Sequence, residues 1–430
     1  MLTQPDPVGA AVESAFAQEW GRLVAALIRR TGDWALAEEC AQEAFLAAAE
    51  RWPVDGVPDR PGAWLMTTAR NRATDRLRRA GVERRKLQEV AMDVPAGPPD
   101  EDVPDDRLRL IFTCCHPALP LETRVTLALR TLCGLGVDQI ARAFGVGEAA
   151  MAKRLVRARQ RVAADGIPYQ VPPAHELPAR LSGVLAVLYL VFTEGYAATS
   201  GGLLRTDLSG EAVRLARVLA DLMPDEPEVL GLLALVTCHD ARRAARVDDA
   251  GRLVPLEEQD RSRWDHERIE AACRLVERAR RRTTAPGPYL LQAMIAALHA
   301  TAPSPEETDW PQVAGLYAVL RRGTPSPYVA LAHAVAVGMA DGPDAGLRAI
   351  TALEDAGALP GYHLLPAARA DFLRRAARPV EAAEAYRAAL GLVTNDAERD
   401  YLERRLREVE PQRAAQVQGR GTSAHRPGEP

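Results

Sequence analysis

VDQIARAFGVGEAAMAKRLVRARQRV, residues 137–162, divides into two short helical patterns joined by a glycine turn. Ile140, Ala141 and Phe144 supply an apolar face, and Gly145 permits the left-handed residue that ends the first helix. Val146 plugs the turn, and a second helix opens near Gly147 and Glu148 with Leu155 and Val156 facing inward. Two short helices around a glycine turn form a helix-turn-helix, whose second helix lies in a DNA major groove. Charge agrees: between Gly147 and Arg161 stand five basic residues, Lys153, Arg154, Arg157, Arg159 and Arg161, against the single acid Glu148. Glu148, Ala149, Met151 and Ala152 fall where base edges are read, and Lys153, Arg154, Arg157 and Arg159 where phosphates are held. A solvated arginine-rich face has the same composition.

Upstream, DWALAEECAQEAFLAAAERW (33–52) reads as a helix with acids on one side and Ala, Leu and Phe on the other. PGAWLMTTARNRATDRLRRAG (61–81) follows, with Pro61 near a helix start and Trp64, Leu65, Ala69 and Leu77 as an inward stripe. Arg70 to Lys86 holds eight basic residues against Asp75 and Glu83. A basic helix with an aromatic residue suits single-stranded DNA, because arginine tracks the backbone while π-faces hold unstacked bases. Trp64 fits a core position as well as a base platform.

Between these blocks, DVPAGPPDEDVPDD (93–106) carries six acids, no bases and four prolines. Lacking an apolar face, it cannot offset its ordering entropy, and reads as a flexible linker over 86–106. The organisation expected is therefore 10–85, the linker, 107–165, a long helical block over 175–410 and a disordered tail over 411–430. Nearly every segment has helical spacing, so the fold class is all-α.

Composition narrows the function classes. The chain of 430 residues is 47% hydrophobic and 26% charged, with a net charge of −4, which excludes a uniformly basic binder while permitting local basic patches. Its six cysteines are scattered in apolar patterns, as expected of reduced thiols in a cytosolic protein. The longest apolar run, Val184 to Phe192, is about half of the roughly 20 residues that cross a bilayer, so a soluble, cytoplasmic protein with no membrane partner is expected.

DWALAEECAQEAFLAA (33–48), PGAWLMTTARNRATDRLRR (61–79) and LPLETRVTLALRTLCGLGVDQIARAFGVGEAAMAKRLVRARQRV (119–162) together resemble the extracytoplasmic-function (ECF) sigma factors of the sigma-70 family. The first two correspond to sigma region 2 and the third to sigma region 4. The resemblance implies that core RNA polymerase is the partner, through its β′ clamp helices and β flap, with Glu38, Glu39, Gln42 and Glu43 docking on β′. It implies that Trp64, Arg70, Asn71, Arg72, Asp75, Arg76, Arg78 and Arg79 melt and capture the −10 element. The Glu148–Arg159 helix then reads the −35 element of promoter DNA. Gly147 stands where that family usually has a serine cap, which weakens the helix start by a few tenths of a kcal/mol.

The block beyond 175 is a helical-repeat extension. SPYVALAHAVAVGMADGPDAGLRAITALEDAG (326–357) reads as helix–turn–helix with small residues at the crossing. YHLLPAARADFLRRAARPVEAAEAYRAALGLVTNDAERDYLERRL (362–406) approaches a tetratricopeptide unit, with Pro379 opening its second helix. LIFTCCHPALP (110–120), VLAVLYLVFTEGYAATSG (184–201), LMPDEPEVLGLLALVTCHDARRAAR (222–246) and DRSRWD (260–265) resemble the ECF42 group, whose tetratricopeptide-like extension is of the DUF6596 type. That resemblance implies a regulatory extension, responsive to a protein or small molecule. Glu194, Tyr196, His239, Asp240, Arg242, Arg243, Arg263, Trp264 and Asp265 form its candidate groove, either a binding surface or a docking seam.

No catalytic motif, cofactor or metal is expected. Cys114 and Cys115 diverge by about 100° on a helix, unlike the CxxC spacing of zinc sites. An acid–base pair at His239 and Asp240 is the only enzymatic reading, set against an interhelical polar network. The alternative to a sigma factor is a stand-alone helix-turn-helix regulator with a sensing repeat domain.

Overall fold

Alanine, leucine and arginine favour helix over strand along most of the chain. The computed structural model describes residues 7–87, 106–144, 146–196, 206–248 and 252–421. Among these residues the only strand-like pairing is one antiparallel bridge, Val247 to Leu253. The chain is all-α and divides into two compact units, Met1–Leu190 and Val191–Pro430.

The first unit contains α1 (Pro7–Thr31), α2 (Trp34–Asp55), α3 (Pro61–Leu87), α4 (Asp106–Cys114), α5 (Leu121–Leu127), α6 (Val137–Ala143) and α7 (Glu148–Ala164). Helix α8 (Leu177–Tyr196) spans the boundary between the units. Asp33 caps α2, its carboxylate accepting from the amides of Ala35 (2.9 Å) and Leu36 (3.1 Å). Helices α1, α2 and α3 pack on one another, and α1 also packs on α4. The blocks 10–85 and 107–165, which the sequence reads as separate, thus share one compact unit.

One aromatic seam joins them. Trp20 of α1 is 1% exposed, stacks on Phe16 at 5.0 Å, and donates from Nε1 to the carbonyl of Thr131 at 3.1 Å. Gly134 follows at φ +75°, and a Cβ there would lie 2.7 Å from the Phe16 ring, so only glycine fits. The Tyr169 hydroxyl, from the segment after α7, donates to the carbonyl of Ala25 at 2.8 Å.

Two readings change, and one falls outside the described residues. Most of the expected linker, residues 88–105, lies outside the described residues, as does Gly145. The tail expected from 411 is helical to Gly421, with 422–430 outside the described residues. Helix α8 is longer than the apolar run Val184–Phe192: by length and composition it could cross a membrane, with a mean hydropathy of 1.4. Its Leu181, Val184, Leu185, Leu188 and Phe192 are nevertheless buried, as in the core helix of a globular protein.

The second unit continues with α9 (Thr206–Leu222), α10 (Pro227–Asp240), α11 (His266–Arg280), α12 (Pro288–Thr301) and α13 (Trp310–Gly323). It ends with α14 (Pro327–Asp341), α15 (Pro343–Asp355), α16 (Leu364–Arg375), α17 (Pro379–Leu390) and α18 (Asp396–Gly421). From α10 onward most helices pack on their sequence neighbours, as in stacked helical pairs. Glu228 of α10 satisfies the start of α12, accepting from the amides of Tyr289 (2.9 Å) and Leu290 (3.2 Å). The small-residue crossing expected in 326–357 is Gly338 against Gly346. A Cβ on Gly338 would sit 2.3 Å from Phe372 Cζ and 2.8 Å from the Gly346 Cα.

Gly338→Ala therefore forces Phe372 or the two backbones apart. The expected cost is about 1–3 kcal/mol of second-unit stability in urea unfolding, partly recovered by Phe372→Leu in the same chain.

Candidate nucleic-acid interface

Gly147 adopts the extended conformation of an N-cap without a capping side chain, and α7 begins at Glu148. Its buried stripe is Met151, Leu155, Ala158 and Val162, which is the i, i+4, i+7, i+11 spacing of one helix face. The stripe seats α7 in the first unit, beside Ile140 and Ala141 of α6, both buried. Two expectations are corrected. Met151 is 0% exposed, so its side chain belongs to the core and not to a base-reading face. Val156, expected inward, is 50% exposed. The outward face holds Glu148, Ala149, Ala152, Lys153, Val156 and Arg157. Arg154 pairs with Glu122 of α5.

Helix α3 has the same two-sided build. Leu65, Ala69 and Ala73 are buried, while Arg70, Asn71, Arg72, Asp75, Arg78 and Arg79 are exposed. Trp64 is half-buried, its ring edge-on to fully buried Trp52 at 5.7 Å and 67°. Arg76 bridges to Glu39 and Glu43 of α2, and Arg72 stands 3.8 Å from Glu43. The acids of α2 thus partly neutralise the arginines of α3.

The four polar residues expected to form a docking face on α2 do not share one environment. Glu39, Gln42 and Glu43 lie on its outer side. Glu38 is 3% exposed and is held by Arg130 (2.9 Å) and by Arg159 of α7 (2.7 Å). Arg159, expected on phosphate, here pairs with Glu38.

Two family models match these elements: Sigma-70 region 2 over residues 16–82 and Sigma-70, region 4 over residues 109–162. A third, described as a family of unknown function (DUF6596), matches residues 180–280. An uncharacterized protein of Rhizobium meliloti (strain 1021) is 41% identical over 94% of this chain and 96% of its own length. The ECF RNA polymerase sigma factor SigL of Mycobacterium tuberculosis is 33% identical over 30% of this chain and 73% of its own length. The probable ECF RNA polymerase sigma factor SigI of the same species is 32% identical, over 40% of this chain and 60% of its own length. No solved structure matches the chain.

The chain belongs to the ECF sigma factors.

In this ECF sigma factor the groove expected in the extension is largely a buried polar network. His239 Nδ1 accepts a hydrogen bond from Arg242 at 2.9 Å, and Arg242, 7% exposed, reaches over the ring of buried Trp264. Tyr196 stacks on Phe192 at 5.2 Å, under the guanidinium of Arg246 at 3.7 Å. Asp240 is 6% exposed and pairs with Arg268 (2.5 Å) and Arg243 (3.5 Å), while Asp265 caps α11. Glu194 is half-buried and Arg263 exposed. This is a seam between helices, and His239, Asp240, Arg242 and Trp264 are too enclosed to line an open groove. Among the described residues no cluster of His, Cys, Asp and Glu could hold a metal.

Burial, with Arg242 and Arg246 alongside, holds the His239 imidazole well below its usual range. Burial and the Arg242 and Arg261 charges take His299 down to about 4. Sequence reasoning missed Val156, although the spacing of Met151, Leu155, Ala158 and Val162 could have found it. It also missed the aromatic residues of a cavity in the second unit, which come from positions far apart in the chain.

Met151→Ala is expected to cost about 2–5 kcal/mol in urea unfolding of the first unit, as other buried truncations do. Val156→Ala should stay within about 0.5 kcal/mol, because its side chain packs on little.

A pH dependence follows for the second unit. An unfolded histidine titrates near 6.5, so between about 4 and 6.5 the unfolded chain binds a proton that folded His299 refuses. Stability therefore rises with pH through that window. His299→Gln should flatten the rise by up to about 1.4 kcal/mol per pH unit, read from urea midpoints between pH 4.5 and 7.

Proposed function

We propose that this ECF sigma factor binds core RNA polymerase, reads the −35 and −10 elements of a promoter and starts transcription, with a regulatory C-terminal extension. Its established role is the coarser one, a part in transcription initiation, which the two sigma-70 regions and the ECF relatives support. The single observation carrying the finer reading is that α7 and α3 each bury one apolar stripe and turn a basic face outward.

On α7, Lys153 and Arg157 would hold phosphates beside the outward Glu148, Ala149 and Ala152. Val156 would offer an apolar contact to a thymine methyl, a recognised element of direct readout. On α3, Arg70, Asn71, Arg78 and Arg79 would track the separated strand at −10, with Trp64 as a platform at the helix start. Glu39, Gln42 and Glu43 would meet the β′ clamp helices. Glu38 would join them only after leaving Arg130 and Arg159. A factor working on core polymerase acts in the cytoplasm, and its contribution is binding rather than catalysis.

The test is transcription in vitro over pooled upstream fragments from the source genome, with core polymerase, and 5′ ends mapped. Starts sharing −35 and −10 sequences should appear only when the chain is added. Arg78→Glu with Arg79→Glu should reduce them at least tenfold on duplex templates, and less on templates already open at −10. Tight promoter binding without core, and no transcript with it, would sink the sigma reading in favour of a stand-alone regulator.

A further inference from the structure

Within the second unit, helices α13, α14 and α16 to α18 and the segments 255–261 and 305–310 surround a cavity of about 540 Å³. Its wall is strongly aromatic: Trp310 and Tyr317 come from α13, and Tyr328 meets Tyr362 edge-on at 5.1 Å and 87°. Leu331, Val335 and Met339 from α14 add apolar lining, and Ala332 and Ala368 are among its small residues. The cavity opens to solvent beside the exposed Tyr328, and ligand clefts occupy roughly 300–1,000 Å³ with mostly apolar walls and a few placed polar groups.

The charged groups at the wall decide the class of occupant. Glu257 is held by Arg375 (2.6 Å) and Arg405 (2.7 Å). Asp371 is held by Arg374 (2.5 Å) and Arg375 (2.7 Å). Both acids and Arg375 are thus compensated, and Glu306 and the Trp264 ring attract the Arg261 guanidinium, so a charged ligand would lose hydration with little counter-charge gained. A peptide laid across helical repeats needs free polar side chains along its backbone, and these carboxylates and arginines are already engaged with one another. Arg261 differs. Its Nη1 donates to the carbonyls of His299 (2.9 Å) and Ala302 (2.7 Å), and its guanidinium lies 4.4 Å from the Trp264 ring centre. Arg261 is also part of the cavity lining.

We propose that this cavity binds an uncharged, planar, largely apolar small molecule, whose ring system packs on Trp310, Tyr328 and Tyr362 and whose carbonyl or hydroxyl oxygen accepts from Arg261. Release of water from the aromatic wall drives binding, and offset or edge-on ring contacts orient the ligand. That the ligand acts as an effector of initiation rests on the regulatory role proposed for the extension; the binding itself does not.

The test uses the full chain and the neutral aromatic ketone 6-propionyl-2-dimethylaminonaphthalene, with the anionic 8-anilinonaphthalene-1-sulfonate as its charged counterpart. The ketone should bind saturably at one per chain, with blue-shifted emission, at least tenfold tighter than the sulfonate. Ala368→Phe, which adds bulk to the lining, should weaken it at least tenfold while the unfolding midpoint holds or rises. Tyr328→Ala removes a residue that is 58% exposed, so the fold is kept whatever the filled variant does; it should weaken the ketone at least threefold. Absence of saturable binding, indifference to both substitutions, or a sulfonate bound as tightly as the ketone would each overturn the proposal. The last result would leave the groove to a charged or peptide partner. Because binding is read without polymerase, its failure is distinct from failure of the transcription assay.

Discussion

A carboxylate almost out of reach of water anchors the first unit. Glu38 of α2 lies between Arg130, just ahead of the helix-turn-helix, and Arg159 on α7, its second helix. Moving these charges out of water is costly, and only their mutual geometry offsets it. Removing one partner from such a group leaves the others unpaired and typically costs about 3–5 kcal/mol. The Trp20 bond to Thr131 and the Gly134 contact with Phe16 lie along the same seam. Together they bring the region 4 helices against α1 and α2. The residue expected to greet the polymerase and a residue expected to hold DNA phosphate hold each other instead.

That arrangement sorts the charged surface into engaged and available groups. On α2 and α3, Glu39 and Glu43 share Arg76, so acid and base faces compensate across a helix pair. The outward arginines at 70, 78 and 79 and the α7 face around Lys153 and Val156 carry the remaining chemistry. Their phase on each helix is set from inside: once Leu65, Ala69 and Ala73, or Met151, Leu155 and Ala158, are buried, no rotation can expose a different set.

The second unit obeys a different rule. Several of its charges hold stacked helices together, with Asp240 on Arg268 and Glu257 on Arg405. The cleft lined by Trp310, Tyr328 and Tyr362 is apolar and aromatic. A cleft lined by rings, whose acids are already paired with arginines, is suited to a neutral ligand.

Periodicity and charge along the chain were enough to determine the helical class, the helix-turn-helix, the basic helices and the starts of α3 and α17 at prolines. These are local properties, set by side chains three or four residues apart. The same stripe could have placed Met151 inside and Val156 outside; two adjacent apolar residues concealed the phase. Other features were not legible at all. Glu38 looks like its acidic neighbours until Arg130 and Arg159 are brought to it from some 90 and 120 positions away. The polar cluster at His239 to Trp264 reads as a site in sequence because its residues are reactive, but packing encloses it. The cavity between Glu257 and Tyr401 gathers residues that no spacing rule connects. Sequence determined which elements form and which faces they own; the tertiary structure decided which charges neutralise one another and where a void remains, because both depend on contacts between distant helices.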